Sequence, residues 1–316
     1  MRLAKSILLR LVYGLVSLLF ISFVTFVADE ISPGDAATLQ AGEKARPEDV
    51  QRLRERMGLD RPWPVRYVEF VGKAVRFDFG NSLLGARQPV SQIIGKALPM
   101  TMKIAFLAIL LAAGVGILLG TIAAVWQNRA PDQAVLTLST LGVTVPNFVL
   151  APILVYIFAL RLDVLPQTWE VNLRAPEFYY LLLPVVILAA RPMASLTRLT
   201  RASVIDTLQQ EFVRLAVAKG VPSRRLIFKH VLRNALLPVV TAIGTSFGFL
   251  LTGSFIIERA FVIPGLGSEA IEAIQRRDTP VIQATVLIAG ALFILINLVV
   301  DVILPILDPR IREAQV

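Results

Sequence analysis

The chain has 316 residues, 55% of them hydrophobic and only 17% charged; with a mean hydropathy of +0.68, this composition excludes an average soluble domain and points to a protein with several membrane spans. The net charge of +9 lies between apolar runs, where basic residues set topology, so it is read as a membrane signature and not as a nucleic-acid surface. There is no cysteine and a single histidine, His230, which excludes a disulfide framework, a thiol nucleophile and a multi-histidine metal site.

Residues 7–28 (ILLRLVYGLVSLLFISFVTFVA) are long enough to cross a bilayer, for which about 20 apolar residues suffice. Arg2, Lys5 and Arg10 before and within this run hold the N-terminus in the cytoplasm. The run is longer than a signal-peptide core and no small-x-small cleavage site precedes Asp29-Glu30, so it is expected to be an uncleaved anchor. Residues 29–99 form a long polar segment outside the membrane. Within it Ser32-Pro33-Gly34-Asp35 reads as a turn. Pro47 to Met57 reads as a short helix, with proline at its start and acids in its first turn, stopped by Gly58. The aromatics Trp63, Tyr67, Phe70, Phe77 and Phe79 suit a segment at the water–lipid boundary.

Residues 100–126 form the second span, where Gly116 and Gly120 make a G-x-x-x-G pair that permits close helix contact. Gln127 to Gln133 is a short inner turn. The third span, 134–160, carries Thr137, Ser139, Thr140, Thr144, Pro146 and Asn147. Such polar, proline-interrupted spans face protein or a water path, and helix packing accounts equally well for each residue singly. The fourth span, 178–197, opens on Phe178-Tyr179-Tyr180 and carries Arg191-Pro192 near its inner end. In the fifth, 236–257, Thr241, Thr245, Gly248 and Thr252 share one helix face, which either lines a translocation path or packs against a partner helix. Glu258 to Asp278 lie outside, and 281–304 form the sixth span. Basic residues crowd the short segments this arrangement puts inside, so both termini are expected in the cytoplasm. The organisation is then 1–97 for the N-terminal end, first span and long external loop, 98–304 for a core with a cytoplasmic loop at 198–235, and 305–316 for a cytoplasmic tail.

Between the fourth and fifth spans runs EFVRLAVAKGVPSRRLIFKHVLRNALLP, Glu211 to Pro238. Basic Arg214, Lys219, Arg224, Arg225, Lys229 and Arg233 alternate with Phe212, Val213, Leu215, Ala216, Leu226, Ile227 and Phe228. Gly220 and Pro222 break the stretch into two short amphipathic helices. The plainer alternative is a basic loop that only anchors topology. The stretch resembles the cytoplasmic coupling loop, or EAA motif, of ABC-transporter permeases, and specifically the dipeptide/oligopeptide branch. Val213 to Gly220 stand against its VRTARAKG, followed by Arg224-Arg225 and by His230 to Pro238. Arg214 and Leu215 replace the Glu and first Ala of the general motif, and Arg233 its usual Pro, as is typical of that branch. The likeness extends to Gly58-Leu59-Asp60-Arg61-Pro62, Phe79-Gly80-Asn81-Ser82, Pro89 to Ile94, the F-x-x-P-G-L-G element at Phe261 to Gly267, and Asp308-Pro309-Arg310.

That resemblance implies an all-α polytopic membrane protein with six transmembrane helices, the type I ABC importer permease fold and a long external loop after the first helix. It implies a bacterial or archaeal cytoplasmic (inner) membrane and an import permease for dipeptides, oligopeptides or related solutes, with nickel chelates, glutathione and oligosaccharides as alternatives. The implied partners are a second homologous permease subunit, two ABC ATPase subunits and an external substrate-binding protein. The implied ATPase-coupling residues are Glu211, Phe212, Arg214, Leu215, Ala216, Lys219, Gly220 and Arg224; Thr241, Thr245 and Thr252 are the candidates for the path. The chain carries no G-x-x-x-x-G-K-[ST] loop, so it is expected to bind no cofactor itself and to leave ATP and Mg to the partner ATPase. Outside the family, an ion-coupled secondary transporter or channel is the alternative. It calls for charge inside the membrane, and Asp301, near the inner end of the sixth span, is the one obvious acid there. An intramembrane enzyme has no support from H-E-x-x-H or G-x-S-x-G.

Overall fold

A computed structural model describes residues 2–31, 36–41, 45–56, 58–84, 87–170 and 175–307. The expected turn at Ser32 to Asp35 and the closing Asp308 to Arg312 lie outside the described residues. Among the described residues the chain is helical, with one isolated antiparallel bridge between Asn81 and Pro89. Short helices α2 (Ala36–Ala41), α3 (Pro47–Arg56) and α4 (Trp63–Ala74) follow α1 (Arg2–Ile31). Then come α5 (Val90–Val125), α6 (Ala130–Thr144), α7 (Asn147–Val155) and α8 (Glu177–Leu208). The chain continues through α9 (Glu211–Ala218), α10 (Ser223–Arg225), α11 (Leu232–Ala260), α12 (Leu266–Arg276) and α13 (Thr279–Leu307). π-Helical turns extend α7 through Tyr156–Arg161 and join α10 to α11 through Leu226–Val231.

Among the described residues five helices are long and apolar enough to cross a membrane: Leu8–Ile31, Val90–Val125, Glu177–Leu208, Ser223–Ala260 and Thr279–Val300. The pair Ala130–Thr144 and Asn147–Arg161 is bent by 107° and makes a sixth crossing if the two halves form one span. The straight helix expected over 134–160 is therefore interrupted. Val145 precedes Pro146, whose ring disfavours helical geometry in its neighbour, and Val145 is extended at φ −78, ψ 118. Each half is short: the 15 residues of α6 cover about 22 Å, less than a bilayer core of about 30 Å. The second span also differs from expectation. α5 starts at Val90 and runs for 36 residues with Pro99 inside it, so its first turns reach beyond the bilayer core.

By packing, the chain divides into two units, Met1–Thr101 with Ile263–Ile294, and Met102–Val262 with Leu295–Val316. In the first, the aromatic segment is helix α4 and it lies on α1. Phe26 meets Tyr67 with centroids 5.4 Å apart and Phe70 at 6.1 Å, and Tyr67 shares a 2.9 Å hydrogen bond with Ser22. Trp63 and Phe77 stay exposed. A Cβ on Gly14 would stand 2.7 Å from Ile294, and one on Gly290 2.9 Å from Ile21, so glycine lets α1 and α13 approach. The segment expected as a plain outer loop contains α12, which buries Leu266, Gly267, Ala270 and Ala273. Past its end, the Asp278 carboxylate accepts the Ser82 hydroxyl and the Leu83 N–H, the latter at 3.1 Å.

The second unit is built around α8, whose Ile187, Leu188, Leu196 and Val204 are buried. The expected close contact at Gly116 and Gly120 is present: a Cβ on Gly120 would lie 2.5 Å from the Thr197 carbonyl oxygen and 2.6 Å from Thr200 Cβ. On another side, Gly142 of α6 would bring a Cβ within 3.1 Å of Ala194. Gly244 of α11 faces Val300 of α13, with 2.4 Å left for a Cβ.

Candidate coupling surface and membrane cavity

Helix α8 runs unbroken through Pro192 to Leu208, and α9 follows after Gln209 and Gln210. Gly220 takes φ +75, a conformation that L side chains rarely adopt. It lets Val221 N–H bond back to Ala216 O at 3.1 Å before Pro222 opens the next helix. The inner face of α9 is anchored. Val213, 4% exposed, joins Ala124, Val204, Leu226, Val231, Leu232 and Ala235 in one apolar cluster, with Ala216, Val221 and Ile227 packed against it. The ends of α5, α8 and α11 thus share a core with the loop.

The outer face is apolar but uncovered. Phe212 is 39% and Leu215 57% exposed, and Arg214, Lys219, Arg224, Arg225 and Lys229 are exposed around them. Glu211 pairs with Arg214 at 3.3 Å, both largely in solvent, where such pairs add little stability. Of the eight residues singled out from the sequence, seven face outward or form the turn, and Ala216 faces the core. The second of the two expected short helices is not separate. From Ser223 the chain stays helical for 38 residues into the fifth span, because nothing between Pro222 and the tolerated Pro238 interrupts it. α10 is therefore continuous with α11 through the π-helical turn.

Beneath this loop lies a pair that the sequence pattern did not reveal. Arg201, near the end of α8, donates to Asp132 in the first turn of α6, Nε to Oδ1 at 2.5 Å and Nη2 to Oδ2 at 2.7 Å. Asn128 N–H adds a third bond to Oδ2 at 2.8 Å. The side chains are 2% exposed for Asp132 and 20% for Arg201. Pro131 and Asp132 at the opening of α6 are a legible helix start, but nothing local names the partner.

Between α7, α8 and α11 is a cavity of ≈ 600 Å³ lined by Asn147, Arg191, Ser195, Ser246 and Thr252, with Leu188, Phe249 and Leu250 as apolar walls. Of the three threonines on the α11 face, Thr252 lines this cavity and Thr241 and Thr245 do not. Their hydroxyls turn back to their own helix, Thr241 to Leu237 O at 3.4 Å and Thr245 to Ala242 O at 3.1 Å.

Long apolar helices, an amphipathic loop keyed to the ends of three of them and a largely apolar cavity with a few polar groups between them are the features of a membrane transport permease. Residues 116–313 match the family described as "Binding-protein-dependent transport system inner membrane component", and residues 3–105 match its N-terminal component. The chain belongs to this family, the permease subunits of ABC importers. It is 39% identical to a protein named as a peptide transport system permease in Brucella abortus (strain 2308), over 97% of this chain and 98% of that one. It is also 39% identical to the glutathione transport system permease protein GsiC of Escherichia coli (strain K12), over 95% and 96% of the two chains. Its fold is similar to that of a chain in the crystal structure of an amino acid ABC transporter with histidines. The TM-score is 0.51 at 17% sequence identity, covering 70% of this chain and 94% of that one. The protein is thus a multi-pass inner-membrane subunit, not itself an enzyme, that works with an ATPase and a substrate-binding protein.

Proposed function

We infer that the chain forms half of an import path for dipeptides and short oligopeptides and couples it to an ATPase through the loop around Gly220. The observation that carries the coupling assignment is the two-sided packing of α9. Val213 and Ala216 bind it to the ends of three helices, while Phe212 and Leu215 on the other face have no cover. Those two side chains fit an apolar groove on the ATPase, with Arg214, Lys219 and Arg224 at the rim and Glu211 orienting Arg214. The complex contains a second homologous permease, two ATPase chains and an external binding protein, and ATP and Mg reside on the ATPases. Both chain termini then lie in the cytoplasm with the loop. Closure of the ATPase pair pushes α9 and α10 as a body, and α8 and α11 move with them. Substrate released by the binding protein passes along the α11 face at Thr252. Peptides are favoured as cargo because relatives of near-equal length at 39% identity carry peptide and glutathione names, and glutathione is itself a tripeptide.

The test is a mild-detergent purification of the tagged chain from native membranes, followed by mass spectrometry. Two ATPase chains, a sister permease and a peptide-loaded binding protein are the expected companions. A chain that purifies alone after crosslinking, with uptake that follows an ion gradient and ignores ATP, returns the ion-coupled alternative.

A further inference from the structure

Arg191 is the 15th of the 32 residues of α8 (Glu177–Leu208). It stands about 21 Å along the axis from Glu177, toward the inner end of a span that crosses a hydrocarbon core about 30 Å thick. A cation at that depth is costly unless it meets water or a counter-charge. Arg191 is exposed on the cavity between α7, α8 and α11. Among the described residues it makes no hydrogen bond or ion pair. The polar groups around it, Asn147, Ser195, Ser246 and Thr252, are all neutral, and no carboxylate lines the cavity.

The lining therefore carries one uncompensated positive charge, a set of neutral hydrogen-bonding groups and an apolar wall of Leu188, Phe249 and Leu250. Its ≈ 600 Å³ lies within the range of small-ligand sites. This repels a free metal cation and offers an uncharged sugar nothing for the charge. It matches a small solute with one terminal carboxylate, amide groups along its length and an apolar side chain. A guanidinium holds a carboxylate through two parallel hydrogen bonds. We propose that Arg191 binds the C-terminal carboxylate of the peptide as it crosses the cavity, so that this subunit itself selects free-acid peptides after the binding protein has released them. The proposal rests on the peptide assignment above.

The experiment uses the complete transporter in proteoliposomes, driven by ATP. Radiolabelled alanine dipeptides and tripeptides are offered as free acids and as C-terminal amides. Each is supplied on binding protein of measured occupancy, so that the rate per loaded binding protein reports the permease step. The wild type is expected to carry the acid about tenfold faster than the amide, the scale of a charge-assisted hydrogen bond. Arg191→Gln brings that ratio to about one by slowing the acid only. Arg191→Lys, which keeps the charge and loses the paired geometry, falls between; it decides the matter alone if the glutamine variant fails to assemble on size-exclusion chromatography. A ratio unchanged by either substitution overturns the inference. So does an equal loss for acid and amide, which assigns Arg191 to a carboxylate of the sister subunit or a lipid phosphate. A wild-type complex that carries no peptide at all overturns the peptide assignment, and the inference with it.

Discussion

Arg201 grips both carboxylate oxygens of Asp132, at 2.5 and 2.7 Å, and so ties the start of α6 to the part of α8 that leads into α9. Removing one partner of a buried pair leaves the other charge unmatched, at a cost of about 3–5 kcal/mol. Asp132→Ala is expected to lower the thermal midpoint of the detergent-solubilised complex sharply. The double replacement Asp132→Leu with Arg201→Met, which leaves no orphan charge, should recover most of the loss. Size-exclusion chromatography after graded heating reads both. Equal losses in the single and double variants would count against the pair as a structural tie.

Gly120 and Gly114 lie on the same helix and predict opposite outcomes. A Cβ on Gly120 would meet α8 backbone at 2.5 Å, whereas one on Gly114 meets nothing within 4 Å. Gly120→Ala should destabilise by about 1–3 kcal/mol through overpacking. Gly114→Ala should be neutral or favourable by up to about 1 kcal/mol, since glycine weakens a helix interior. The same heating assay ranks them.

Gly220 has φ +75 with open space where a Cβ would go, so a substitution there strains the backbone and clashes with nothing. Gly220→Val is expected to leave the protein in the membrane but to separate ATP hydrolysis from uptake. Gly220→Asn, which tolerates left-handed geometry far better, should retain coupling. ATPase and uptake rates measured together on one preparation decide it. Full coupling in the valine variant would remove the turn from the mechanism.

Thr252 lines the cavity, while Thr241 and Thr245 do not. Thr252→Cys should react with a water-soluble thiol reagent much faster than Thr241→Cys, by about tenfold or more, in at least one transport state. The wild-type chain has no cysteine, so labelling needs no background correction. Equal protection at both positions would close this route to substrate.

Burial raises the Glu269 carboxyl above its ordinary range, and the neighbouring Glu272 adds to the rise. Glu269 lines a cavity of ≈ 230 Å³ together with Glu272, Arg276, Asp278, Ser82 and Gln88. A carboxyl whose pKa is higher folded than unfolded binds more protons in the native state between the two values. Stability therefore falls as pH rises from the unfolded pKa, near 4.3, to the folded one, and stays lowered above it. Glu269→Gln should raise the thermal midpoint at pH 7, change it little at pH 4, and flatten the slope between. A steeper slope in the variant would reverse the sign.

The loop at Glu211 to Pro238 was legible because its signals are local. Gly220 and Pro222 mark the break, and basic and apolar residues alternate at helical spacing. α12 also carried a readable pattern, with Leu266, Ala270 and Ala273 on one face. The early start of α5 was hidden by Ser91, Gln92 and Lys96, which lower local hydropathy without breaking a helix. Pro146 was visible in the third span, yet its presence alone does not separate a tolerated kink from the 107° break that forms.

Apolar run lengths and local motifs were enough to read the order of the candidate spans, the loop between the fourth and fifth, and the family. The physical reason is that a bilayer forces the backbone to satisfy its own hydrogen bonds, so a long apolar run has little choice but helix. Direction and partnership came from tertiary packing. It sets Ala216 inward beside Val213 with Phe212 and Leu215 outward, and it puts Thr252 on the cavity that Arg191 also lines. It also pairs Asp132 with Arg201 across 69 residues of chain. Such contacts depend on which helix faces come together, and no local pattern along the chain encodes a neighbour that far away.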